Sequence, residues 1–169
     1  RSTRLPRAIR DVYKRQSLNR YVFEERTDLV SSPYVQCLDV WETQRRRKVR
    51  RTRLVNIYNR ARMAGGGYAM DRLKLSQLIE GRVILAGDFN ARSPAWDPWV
   101  ARRCNAGTTE KLIEEHGLIV NNNDQPTRHG KKCRSVIDLT LSNLSVGRLL
   151  TWEIDAGLAL SLIHISDGA

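Results

Sequence analysis

The sequence predicts an α/β fold, and three observations carry that prediction. Two segments, YVQCLDVW (34–41) and RLVNIYN (53–59), alternate polar and apolar residues and are rich in β-branched and aromatic side chains. A third, RVILAGDFN (82–90), is a short apolar run that breaks at glycine. Helix-patterned stretches lie before it and between it and a later strand, SVIDLTLS (135–142), which is the alternation of a layered α/β protein.

The elements follow in order. The strand pattern begins after Pro33, and the next strand is reached through RRRKVRRTR, whose cations are Arg45, Arg46, Arg47, Lys48, Arg50, Arg51 and Arg53. Two strands joined by a charged turn predict a hairpin with its arginines in water. AGGGY (64–68) predicts a loop, because three glycines lose too much chain entropy to stay regular. Residues 69–80 predict a helix with Leu75, Leu78 and Ile79 on one face and Gly81 as its stop. A loop with Trp96, Pro98 and Trp99 follows the GDFN strand. TTEKLIEEHG (108–117) predicts a second helix, with threonine caps, early glutamate and a terminal glycine. LIV (118–120) starts a strand, and NNNDQPTRHGKK (121–132) predicts a loop.

Two short segments stand apart from this pattern. DVYKRQ (11–16) can be encoded by GAT GTG TAT AAG AGA CAG, whose reverse complement in the same frame encodes LSLIHI, residues 160–165. Reverse complementation preserves no hydrophobic pattern, so protein physics gives no reason for the relation. The DNA word resembles the transposon end used as an adapter in sequencing libraries. The expectation is that residues 1–16 and 160–169 are foreign to the fold, leaving 17–159 as part of a domain open at both ends.

A chain of 169 residues bounds the answer at about one domain. The net charge is +11; residues 1–16 hold six Lys/Arg and one Asp, and 160–169 one Asp, so residues 17–159 still carry +7. The basic run accounts for much of this and favours polyanions through counterion release. A solvated charged turn explains it equally well. Three cysteines, Cys37, Cys104 and Cys133, fit no paired framework and lean towards a reduced, intracellular setting. HGKKC (129–133) has no second pair at metal spacing, so no structural zinc is expected. No apolar run is long enough to span a bilayer, and no membrane partner is expected.

Chemistry concentrates in two strands. Asp88 and Asn90 are two residues apart at a strand end and point the same way, while Phe89 points into the core. Asp can hold a metal or activate water, and Asn can donate to a phosphate oxygen. Both residues are also common in β-turns, so the motif alone reads either way. In SVIDLTLS, Ile137, Leu139 and Leu141 make one apolar face, leaving Asp138 on the other with Val136 and Thr140. Such a carboxylate needs a partner, and histidine is the obvious one, although an exposed Asp on a half-solvated strand is ordinary.

Taken together, GDFNA (87–91), SPAWDP (93–98), a connecting helix, LIVNNND (118–124), PT (126–127) and SVIDLTLS (135–142) resemble the endonuclease domain of non-long-terminal-repeat (LINE-type) retrotransposon polyproteins. That domain belongs to the endonuclease/exonuclease/phosphatase superfamily, with exonuclease III-like repair nucleases. LVNIYN and PYVQCLDVW are similar too, so the resemblance covers most of residues 17–154. It implies a four-layer α/β sandwich of the DNase I/exonuclease III type, with two packed mixed β-sheets and outer helices. It also implies Mg²⁺, or Mn²⁺ in its place, as cofactor, with Asp88 as a metal ligand. Asp88 and Asn90 would activate water and hold the scissile phosphate, and Asp138 would orient a catalytic histidine. Tyr58 falls where the family places an aromatic near the phosphate, and a core role fits it equally. Ser93 falls beside the site, towards nucleic acid, and Trp96 serves packing. The implied partners are DNA and a downstream reverse transcriptase domain in the same polyprotein, acting in the nucleus.

The departures matter. The family opens with a strand carrying an asparagine and a metal-binding glutamate, and closes with Ser-Asp-His. Glu24 and Glu25 lack that context, and after Ser166-Asp167 comes Gly168 where histidine belongs. His116 and His129 match no catalytic position, and His164 lies in LSLIHI. The chain as written is therefore expected to be inactive. Two rivals remain: another superfamily phosphodiesterase or phosphatase, such as a repair nuclease, and a non-catalytic nucleic-acid-binding module built on the basic run.

Overall fold

The structure, a computed structural model, describes residues 21–30, 32–42, 50–60, 70, 75–130, 134–155 and 160–165, with backbone only at 155 and 160–165. Among the described residues, ten strands run in chain order: β1 (Tyr21–Glu25), β2 (Val35–Glu42), β3 (Thr52–Tyr58), β4 (Arg82–Asp88), β5 (Ile119–Val120), β6 (Arg128–His129), β7 (Arg134–Ser135), β8 (Asp138–Ser142), β9 (Leu150–Asp155) and β10 (Leu160–Ile165). The α-helices among the described residues are α1 (Gly107–His116) and the one-turn α2 (Leu144–Gly147).

Six strands form one mixed sheet in the order β1-β2-β3-β4-β8-β5. Among the described strands only β3 and β4 pair in parallel, and a parallel pair needs a long connection, which the 23 positions between Tyr58 and Arg82 allow. The β2–β3 hairpin is antiparallel, as the charged turn predicted. Two further antiparallel pairs, β6–β7 and β9–β10, stand as separate two-stranded sheets. The α/β class and the mixed sheet match expectation; among the described residues the large sheet is single.

Register explains the core. Cys37, Val55, Leu85 and Leu141 stand opposite one another across four strands, and the next row holds Val35, Ile57, Gly87 and Leu139. These rows pack with Met70, Leu75, Leu78, Phe89, Trp96, Leu112 and Val136. At Gly87 φ is +137°, and a Cβ there would lie 2.0 Å from the Ile57 carbonyl oxygen. Only glycine lets β3 and β4 approach this closely at the point where β4 turns out of the sheet.

Several expectations are corrected. Of the helix predicted over 69–80, whose residues 69 and 71–74 lie outside the described ones, the structure shows 3₁₀ conformation at Met70 and a 3₁₀ turn at Leu75–Leu78, which buries Leu75 and Leu78 as the pattern required. Helix α1 starts at Gly107, with Ala106 at the N-cap, so the threonines lie inside the first turn and do not cap it. Gly117 closes it in the left-handed conformation, as predicted. Strand β8 begins at Asp138, not Ser135, and the loop 121–132 contains β6. Apart from these corrections, residues 160–165, set apart by their coding relation, pair with β9 from Leu160↔Asp155 to Ile165↔Leu150, a pairing that does not bear on their origin.

Arg53 is the sharpest correction to the solvated-turn reading. Its side chain is 11% exposed, and Nε donates to Asp39 Oδ1 at 2.8 Å. Asp39, 4% exposed, also accepts from Arg26 at 2.6 Å. Residues 39 and 53 face each other across β2 and β3 on the core side of the sheet. Strand parity, not the composition of the run, decides where Arg53 points.

Candidate active site

On the opposite face, three predicted residues fall on one row. Tyr58 pairs with Asp88 across the parallel β3–β4 ladder, and Asp88 pairs with Asp138 across the antiparallel β4–β8 ladder. Directly opposed residues share a face, so the row presents a phenol and two carboxylates at one end of the sheet. Tyr58 is 51% exposed, which excludes the core role left open for it. Both carboxylates are half-buried.

Asn90 joins the row through Asp88. Its φ is +48°, a left-handed conformation that asparagine tolerates. There its backbone N–H donates to Asp88 Oδ1 at 2.8 Å, and Nδ2 reaches Asp88 Oδ2 at 3.3 Å and the Asn59 carbonyl at 3.0 Å. The turn reading and the functional reading of GDFN thus coincide, because the turn presents the amide beside the carboxylate.

Burial raises the Asp88 pKa above the ordinary carboxylate range, against the Asn90 N–H and the charge of Arg128. Asp138 is raised too, first by burial and then by the negative charge of Asp88, against a hydrogen bond from Thr127. Two facing carboxylates are a hard-oxygen donor set that favours a divalent cation. Among the described residues no third His, Cys, Asp or Glu completes a metal cluster, and no histidine hydrogen-bonds to Asp138.

Residues missed from sequence hold this geometry. Asn59, 2% exposed, donates from Nδ2 to the Phe89 carbonyl at 2.8 Å and accepts from the Met70 N–H at 2.9 Å. Its own N–H donates to the Asp88 carbonyl at 2.7 Å. Thr127 Oγ1 accepts from the N–H groups of Ile137 and Asp138, fixing the start of β8. Asp97, fully buried, accepts from Val136 N–H at 2.8 Å and Trp99 N–H at 3.0 Å, tying the SPAWDP loop to the same segment. The PT and SPAWDP motifs were visible; their bonds across ten or more residues were not.

Other predicted residues lie elsewhere. Ser93, expected towards nucleic acid, is 1% exposed, and its hydroxyl donates to Glu110 Oε1 at 2.6 Å, locking the loop onto α1. Trp96 is buried in the core, as a packing role requires. Arg45, Arg46, Arg47 and Lys48 lie outside the described residues. Arg50 and Arg51 are exposed, and the Arg51 guanidinium stacks 4.7 Å over the Trp41 ring. They precede Thr52, whereas the row stands at Tyr58, so about 20 Å of strand separates them from it. His116 ends α1, and His129 is in β6.

The sequence profile of a family described as endonuclease-reverse transcriptase matches residues 52–161. No curated protein matches the chain in sequence. Among solved structures, it is similar to the endonuclease domain of TRAS1, a telomere-specific non-LTR retrotransposon, with 21% identity and a TM-score of 0.61. The match covers 82% of this chain and 61% of that one, and at this identity it speaks for fold.

Proposed function

Since the chain belongs to the endonuclease-reverse transcriptase family, we propose that its parent is a metal-dependent endonuclease that nicks target DNA for retrotransposition. The observation that carries this reading is the Tyr58–Asp88–Asp138 row with Asn90 bonded to Asp88. It gathers phosphate-directed donors and metal-directed carboxylates on one open sheet end.

Hydrolysis of a phosphodiester needs a positioned water, charge neutralisation and a proton path to the leaving oxygen. Asp88 would hold Mg²⁺, or Mn²⁺, which supplies charge neutralisation at the phosphate and a more acidic water. The rest of the work falls to the chain. The longer bond from Asn90 Nδ2 to Asp88 is the one exchanged for a phosphate oxygen, while its bond to Asn59 keeps the amide oriented. The exposed Tyr58 hydroxyl meets the same phosphate. Asp138 would orient a histidine, and none partners it among the described residues. The chain as written is therefore proposed to bind substrate and metal without cleaving. A reverse transcriptase domain in the same polyprotein and a nuclear site of action belong to the same reading. Among the described residues, no helix is long and apolar enough to cross a membrane.

The test is plasmid nicking with Mg²⁺ beside DNA binding by fluorescence anisotropy. Binding without nicking is the expected result. Nicking that disappears in Asp88→Ala would overturn the inactivity and keep the endonuclease. Absence of DNA binding would overturn the endonuclease itself.

A further inference from the structure

The row does not stop at Tyr58. The Tyr58 N–H donates to the Tyr34 carbonyl at 2.8 Å, and the two rings lie 6.4 Å apart, tilted by 53°. Arg60 N–H donates back to the Tyr58 carbonyl at 2.9 Å, which makes a tight turn directly after β3. Its guanidinium stands 5.8 Å above the Tyr34 ring, and Nη1 donates to the Tyr34 hydroxyl at 2.9 Å. The series Arg60, Tyr34, Tyr58, Asp88 and Asp138 is thus one continuous ledge, cationic at one end and anionic at the other.

Arg60 differs from the other well-placed arginines. Arg26, Arg53 and Arg103 each contact a carboxylate. Arg60 is exposed and has no carboxylate partner among the described residues. One of its guanidinium donors is committed to Tyr34, and a guanidinium has five, in a fork that fits phosphate. The Tyr34 ring and hydroxyl have already fixed the side chain, so little rotamer freedom is left to lose on binding. The site also needs cations, because Asp88 and Asp138 together repel a polyanion. Arg128 acts on Asp88 from the β6 side, and Arg60 is the counterpart beyond Tyr58.

We propose that Arg60, held on Tyr34, is a phosphate-binding residue that grips the DNA backbone beside the scissile position, with Tyr34 as its positioning residue. This rests on the endonuclease reading above. Phosphates recur along a strand, so one seated at Tyr58 and Asp88 puts a neighbour within reach of the guanidinium.

The experiment measures affinity of the full chain for a fluorescein-labelled DNA duplex, in EDTA, across a NaCl series, so that neither metal nor cleavage enters. Arg60→Ala is expected to weaken binding about tenfold and to lower the slope of log affinity against log salt by about 1. Tyr34→Phe keeps the charge and the ring, so the slope should hold while affinity falls several-fold. The double variant should bind no more weakly than Arg60→Ala alone, because Tyr34 acts through Arg60. Lys111→Ala, on the exposed face of α1, is the charge control and should leave the slope unchanged. An Arg60→Ala slope equal to that of Lys111→Ala overturns the proposal and leaves the endonuclease reading standing. A wild-type chain that binds no duplex overturns both.

Discussion

Asp88 and Asp138 stand directly opposite each other on neighbouring strands, and each holds its proton more tightly than an ordinary carboxyl. A sheet rarely places two like charges in register, since opposed carboxylates repel. A bound cation relieves that repulsion. Mg²⁺ at ten times its dissociation constant should stabilise the chain by about 1.4 kcal/mol, raising Tm by a few degrees. Asp88→Asn should abolish the Mg²⁺ response without unfolding the chain. Differential scanning fluorimetry reads both, and an equal Mg²⁺ shift in the variant would exclude Asp88 as a ligand.

Gly87→Ala should be among the most damaging single substitutions, costing about 4 kcal/mol or more. The added methyl meets the Ile57 carbonyl oxygen, which is ladder backbone and cannot swing aside, and φ is +137°. Urea unfolding should show a large drop in midpoint. A loss under about 1 kcal/mol would mean that β3 and β4 part more easily than their register implies.

Asn59→Ala should cost about 2–4 kcal/mol, because it strands the Phe89 carbonyl and the Met70 N–H. The same change frees the 88–90 turn, so hydrogen exchange of the Asn90 amide should accelerate more than that of Leu85. Uniform acceleration would show that Asn59 supports the fold at large and not this turn.

Asp39 is held below the ordinary carboxylate range, chiefly by its hydrogen bonds to Arg53 and then Arg26, against burial. A carboxyl with a depressed native pKa contributes stability at neutral pH, which is lost as pH falls from about 4, the unfolded value, through the native one. Asp39→Asn should therefore cost about 3 kcal/mol at pH 7, by leaving the buried Arg53 without its charge partner while Arg26 keeps Asp28. The gap between wild type and variant should narrow as pH drops below about 4. Parallel stability curves would remove the ion cluster as the source. Asp28, drawn down to about 2 by Arg26, titrates in the same direction at the surface.

Strand identity was legible because β-branched and apolar alternation is local information. Val55 and Ile57 inside and Asn56 outside match the alternation of RLVNIYN, whereas the side on which Tyr58 falls was left open by the letters and is settled by its exposure. Partnership was less so: nothing local says that β3 lies parallel to β4, which brings Tyr58 beside Asp88. The resemblance identified Asp88, Asn90, Asp138 and Tyr58, and the register puts three of them on one row with Asn90 bonded to it. It could not identify Asn59, whose role depends on Met70 and Phe89, distant in sequence. Arg53 was misread because a run of cations suggests water, while its parity set it against Asp39. Ser93 was misplaced because its Glu110 partner belongs to a helix seventeen residues away.

Strand β3 also acts as a ruler. Its seven residues run from the arginine-flanked Thr52 to Tyr58, a span of about 20 Å at the usual rise, and duplex DNA advances about 3.4 Å per base pair. The distance equals about six base pairs. Under the proposed function, a short duplex seated on the Tyr58–Asp88–Asp138 row would stop before it reached Arg50 and Arg51, whereas one extending further to that side would touch both ends. Substrate length, and not sequence, would then set whether the two charged regions of this chain act on one molecule of nucleic acid or on two.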